Sequence, residues 1–131
     1  MTLDPLLDLL RTRVSGLVAV YLFGSAETGG THATSDLDLA VLASSRLDPV
    51  IRWELQEDIA QRAGRSVDLV DLRSASTVMQ MQVVSTGRLL LSMDAAEVDR
   101  FEMYVYADYC RLNEERRAIL DDVKRRGRIH A

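Results

Sequence analysis

The sequence predicts an α/β protein, and three observations carry that class. Apolar stripes at helical spacing alternate along the chain with short, continuous apolar runs of strand character. Glycine and proline stand at the borders of these segments and not inside them. Two of the short runs carry aspartates among their apolar residues, Asp36-Leu37-Asp38 and Val67-Asp68-Leu69. An acid inside a buried strand is costly unless it is paired or holds a cation, so this third observation points from fold to function.

The first stripe is Leu3, Leu6, Leu7, Leu10 and Val14, with Thr2 as the expected cap, Pro5 in the first turn and Ser15-Gly16 at the end. Leu17 to Phe23 is an apolar run and reads as a buried strand. After it come Gly24-Ser25, a stretch with room for a short helical turn, and the polar loop Thr31 to Ser35, where His32 reads as a solvated residue. The second strand opens at Ser35-Asp36 and runs to about Leu42. Asp48-Pro49 starts a helix with Ile51, Leu55, Ile59 and Ala63 on one side and Gly64 closing it. Trp53 lies off that stripe and reads as a packing residue.

Ser66 to Leu72 is the third strand. Ser74 is the expected cap of a helix over Ala75 to about Ser85, with Met79 and Met81 as core filler. Thr86-Gly87 turns the chain into a short strand, Arg88 to Met93. Asp94 and Glu97 have capping-box spacing and open a long helix to about Arg126. Its stripe is Val98, Phe101, Val105, Tyr109, Leu112, Ile119 and Val123, interrupted by Arg116, with a second edge of Met103, Tyr104 and Tyr106. From Glu114 to Arg128 acids and bases mix, which predicts exposure, and the basic run Lys124 to Arg128 suits a helix C-terminus.

At 131 residues, 47% hydrophobic and 27% charged, the chain is expected to form one domain over residues 1–131, with a core at about 15–93 and a C-terminal helix at about 94–126. A lone cysteine, Cys110, excludes an internal disulfide and reads as a small buried apolar residue. No apolar run approaches the roughly 20 residues that span a bilayer, and the N-terminus lacks a basic signal region. A cytoplasmic location with no membrane contact is the expectation. The net charge of −4 argues against a broad nucleic-acid surface.

The chemistry is carried by Gly24-Ser25, ten intervening residues, and Asp36-Leu37-Asp38. Alternation along a strand puts Asp36 and Asp38 on one face, where they can ligate a divalent cation. A Gly-Ser at a strand end can bring backbone N–H groups, and here the Ser25 hydroxyl, to a phosphate. If the third strand pairs beside the second, Asp68 faces the same pair. Three such acids can hold two Mg²⁺ ions against a triphosphate, with Asp68 as candidate general base. Asp71 competes for that role but points to the other side of an ideal strand.

This pattern, GSAETGGTHATSDLDLAV over residues 24–41, resembles the nucleotidyltransferases built like DNA polymerase beta. The small size and the ending FEMYVYADYCRLNEERRAIL resemble the MntA antitoxins paired with HEPN-domain toxins. The resemblance implies a small mixed sheet flanked by helices and Mg²⁺-dependent use of ATP. It implies transfer of AMP to a tyrosine hydroxyl of a cognate HEPN RNase toxin, which silences it, within a hetero-oligomer. Gly24 and Ser25 match the phosphate-contacting pair, Asp36 and Asp38 the metal ligands, and Asp68 the third acid. An arginine common shortly after Gly-Ser is missing, with Thr28 at about its place; another base such as Arg88 supplies the contact, or the toxin does, or ATP binds weakly. Two other activities fit less of the pattern: an antitoxin that only binds its toxin, and nucleotidyl transfer to a small molecule or RNA.

Overall fold

The computed structural model describes residues 2–24 and 36–130, with side chains described to residue 127. The elements follow as α1 (Asp4–Arg13), β1 (Leu17–Phe23), β2 (Leu37–Ala43), α2 (Pro49–Ala63), β3 (Val67–Asp71), α3 (Thr77–Thr86), β4 (Arg88–Ser92) and α4 (Ala95–His130). The strands form one mixed sheet in the order β3-β2-β1-β4. β1 is antiparallel to both β2 and β4, while β3 lies parallel to β2. A parallel neighbour needs a crossover, and α2 supplies it.

Alternation along the strands divides the core into two layers. Val20, Leu22, Leu37, Leu39, Val41, Val67 and Leu69 pack with Leu6 and Leu10 of α1 and Leu55 and Ile59 of α2. Ala19, Tyr21, Phe23, Ala40 and Leu42 face the other way, toward Val83 of α3 and Val98, Phe101 and Val105 of α4. Both central strands are therefore apolar on both sides, which is why they read as continuous runs. The open edge of β3 is covered: Leu69 donates its N–H to Gln56 Oε1 at 2.9 Å, and its carbonyl accepts from Arg52 at 2.8 Å. Side chains from α2 thus satisfy backbone groups that an unpaired edge leaves open.

Several expectations are corrected at element ends. The N-cap of α1 is Leu3, with no side-chain capping bond; the Thr2 hydroxyl meets only the Asp4 N–H, at 3.4 Å. α3 is capped by Ser76, whose hydroxyl accepts from Met79 N–H, and not by Ser74, whose hydroxyl donates to Asp71. β2 begins at Leu37, leaving Asp36 just ahead of the strand. Asp48 caps α2 as expected, and Gly64 ends it in the left-handed region at φ +68°. The capping box of α4 is half formed: Asp94 accepts from Glu97 N–H, but the Glu97 carboxylate turns to Arg100 and Arg73.

Exposure departs from expectation at Cys110 and Ile51 and agrees with it along distal α4. Cys110 is exposed and fills no core. Ile51 and Trp53 of α2 are about half exposed, so the buried stripe there is only Leu55 and Ile59. α4 is 36 residues long, about 54 Å at 1.5 Å per residue, and its apolar stripe is buried only through Val105. Among the described residues no helix is long and apolar enough to cross a membrane.

Candidate active site

The parallel register of β2 and β3 makes Asp38 and Asp68 direct partners, as Leu37 is to Val67 and Leu39 to Leu69. Strands in a sheet lie about 4.8 Å apart, and paired residues in a parallel ladder point to the same face. Asp38 shares that face with Ala40 and Leu42, in the layer of α3 and α4. Asp36 stands two residues ahead of Asp38, beyond the strand end, and is exposed, as is Asp68. One register thus sets Asp38 opposite Asp68, and Asp36 is near enough for its charge to act on Asp38.

Electrostatics mark Asp38 as the strained member. Burial pushes its carboxyl above the usual range, and the neighbouring charges of Asp68 and then Asp36 push it further. No hydrogen-bond donor among the described residues reaches any of the three. Among those residues no group of three or more His, Cys, Asp and Glu is gathered tightly enough to enclose an ion. Mg²⁺ is commonly held by one or two carboxylates together with substrate phosphates and not by an all-protein cage. The donor set is all oxygen and all anionic, and a divalent cation would relieve the repulsion that raises Asp38.

Gly24 completes this end of the sheet. It follows Phe23, the antiparallel partner of Asp38, and adopts φ +77°, where L side chains are strained. A Cβ there would also run into the Asp38 carboxylate. Glycine is therefore required by the acid as much as by the turn, which sequence reasoning missed. Ser25, Thr28 and His32 lie outside the described residues. Arg88 pairs with Leu22 at this same end, but Leu22 faces the α1–α2 layer, so Arg88 starts from the face opposite the acids.

Two further features were not foreseen. A cleft of about 290 Å³ borders Asp68 and runs along the edge of β3 past Val70 to Ser74 and Ala75, with Arg52 on its wall. Arg52 sits among the polar residues of α2 and carries no sequence signal. Asp71, the competing candidate, is 5% exposed on the opposite face and is fully engaged. It accepts from Leu47 N–H at 2.9 Å, the Ser74 hydroxyl at 2.7 Å and Arg73 N–H at 3.2 Å.

Comparison with known proteins covers most of the chain. Residues 7–96 match the family model described as polymerase beta, nucleotidyltransferase. The chain is 44% identical over 120 residues to the protein adenylyltransferase MntA of Shewanella oneidensis, covering 92% of this chain and 86% of that protein. Its fold is similar to that of a chain in a toxin–antitoxin crystal structure with AMP-PNP, at TM-score 0.85 and 42% identity, covering 94% of this chain and 98% of the other. It is also similar to a chain in the structure of a tri-AMPylated Shewanella oneidensis HEPN toxin in complex with its MNT antitoxin, at TM-score 0.78 and 41% identity, covering 92% and 93%.

Proposed function

The chain belongs to the polymerase beta nucleotidyltransferase family, and from that premise we propose that it is an antitoxin that transfers AMP from ATP to a tyrosine hydroxyl of a HEPN toxin, silencing it. The observation that carries this reading is the register of Asp38 on Asp68, with Asp36 two residues upstream. A surface that only bound a partner would have no use for adjacent carboxylates at a sheet end without a donor among the described residues, because Asp68 and Asp36 raise the cost of ionising Asp38 beyond that of its burial.

Asp36, Asp38 and Asp68 would hold Mg²⁺, as two ions, with the triphosphate. When bound, the metal supplies charge neutralisation on the phosphates and on the departing pyrophosphate. Gly24, held close to Asp38, and Ser25 after it present the chain to the phosphates. Asp68, exposed and bordering the cleft, takes the proton of the attacking tyrosine hydroxyl. The tyrosine oxygen bonds to the α-phosphorus, the bond from that phosphorus to the bridging oxygen breaks, and pyrophosphate leaves with its electron pair. A cytoplasmic setting suits both ATP use and a free cysteine.

The test is label transfer from α-labelled ATP to the toxin by the wild type and by Asp36→Ala combined with Asp38→Ala. The double variant should retain toxin binding, lose label transfer by about 10³-fold or more, and fail to neutralise. Neutralisation at the wild-type level by that variant would overturn the catalytic account in favour of simple occlusion. Label appearing on an aminoglycoside or on RNA, and none on the toxin, would reassign the acceptor.

A further inference from the structure

The apolar stripe that seats α4 on the sheet does not stop where the domain stops. Val98, Phe101 and Val105 are buried, Tyr109 and Leu112 are half-buried, and beyond Arg116, which interrupts it, the same face resumes as Ile119 and Val123 with Leu120 at its margin. At 100° per residue these positions fall within one face of the helix. Ile119 is 63% exposed, Leu120 59% and Val123 58%. Intrahelical pairs cover part of the distal surface: Arg111 meets Asp108 and Glu115, and Asp122 meets Arg125 and Arg126. Those pairs keep the projecting turns helical, but they give no reason for three large apolar side chains in water.

The catalytic family's model ends at residue 96, so nearly all of α4 lies beyond it. Yet the antitoxin crystallised with its toxin and AMP-PNP matches 94% of this chain. The residues such a match leaves out are far fewer than those after residue 96, so most of α4 belongs to the fold shared with toxin-bound antitoxins. Two polar ties of α4 lie away from the acids, while its apolar residues share a cluster with Phe23, the strand partner of Asp38. Arg73, which bonds Glu97, donates to the carbonyl of Ala43 at the far end of β2, and Asp108 accepts from Thr77 at the start of α3.

We infer that the distal turns of α4 are the seat of the toxin, with Ile119, Leu120 and Val123 packing against an apolar patch of its surface and Lys124, Arg125 and Arg126 meeting acids at the rim of that patch. This rests on the proposed reading of the partner as a HEPN toxin. It separates two tasks along the chain. The sheet end performs the transfer, and a helix added outside the catalytic domain holds the acceptor protein.

The test uses the full chain with Ile119→Gln and Val123→Gln together. Gln is a better helix former than Ile or Val, so the helix is kept while its apolar face is removed. The double variant should bind the toxin at least roughly tenfold more weakly by calorimetry. It should bind AMP-PNP as the wild type does, and label the toxin with an unchanged kcat and a raised KM. Ile119→Leu with Val123→Leu should restore wild-type affinity. Wild-type toxin affinity in the Gln variant would overturn the proposal, as would a change confined to self-association of the chain alone in sedimentation. A wild-type chain that binds the toxin but transfers no label would refute the proposed reaction while leaving the docking surface to be judged by affinity.

Discussion

Asp68 and Asp71 stand three residues apart on one short strand and have opposite fates. Asp71 points into the α1–α2 layer, is almost wholly buried, and accepts three hydrogen bonds that tie the loop after β2 to the turn after β3. Its neighbour Arg73 extends the same junction, donating to Ala43, pairing with Glu97 and lying over the Phe101 ring at 5.3 Å. Asp68 points to the other face, is exposed, and has as its strand partner another acid. A carboxylate with a full set of donors is a structural joint. One placed against a second carboxylate, with no donor among the described residues, is kept for something absent from the chain itself. The difference comes from spacing alone: an odd step along a strand changes the face.

The contrast is broken most directly by exchanging the outcomes. Asp68→Asn should lower kcat for labelling the toxin by about 10²–10⁴-fold, the usual worth of a positioned general base, with an unchanged circular dichroism spectrum and melting temperature. Full activity in that variant would remove Asp68 from the site. Gly24→Ala sharpens the geometry on the catalytic side. It forces an L residue into φ +77° and drives a methyl group against Asp38, so transfer should fall by about 10²-fold through displacement of that carboxylate. Single-turnover labelling reads the loss. Activity unchanged there would mean that the Asp38 position tolerates a shift.

Asp71→Ala should do the reverse. It removes the partner of the Leu47 and Arg73 N–H groups and the Ser74 hydroxyl at a part-buried junction, at a cost of about 1–3 kcal/mol in urea unfolding. The folded fraction should still turn over ATP at close to the wild-type kcat. A variant as stable as the wild type would show that water replaces the carboxylate at that junction.

The same contrast explains what the sequence could reveal. Both central strands were legible because they are apolar on each side, and α2 because Asp48-Pro49 and Gly64 mark its ends chemically. The acids were legible because a charge inside such a run is conspicuous, and the face of Asp68 relative to Asp71 followed from counting. What stayed hidden depends on partners distant in the chain. Ser74 was taken as a helix cap because nothing local says that its hydroxyl serves Asp71. The exposure of distal α4 was legible in its mixed charges, but periodicity alone does not say that burial ends at Val105. Cys110 was assigned to the core by residue type, but it sits away from the buried face of its helix. Arg52 left no trace, because an arginine on a polar helix face looks the same whether or not it caps a strand edge.

The smallest effect separates the two acids of the ladder by pH. In the metal-free protein, burial together with Asp68 and Asp36 raises the Asp38 carboxyl above its ordinary value of 3.8. A group whose folded pKa is raised favours the folded state while protonated, and that advantage is lost as pH climbs through the folded value. At pH 7 the ionised Asp38 therefore destabilises the fold, and Asp38→Asn, which removes the charge, should melt above the wild type in chelator. The gap should be full above the raised pKa and should close as pH falls toward and below 3.8, where the wild-type carboxyl is protonated in both states. Adding Mg²⁺ with AMP-PNP should stabilise the wild type and leave the variant little changed, reversing the order. A wild type that melts above Asp38→Asn in chelator at pH 7 would mean that the Asp38 charge is already satisfied within the chain, and the case for a cation between Asp38 and Asp68 would fail with it.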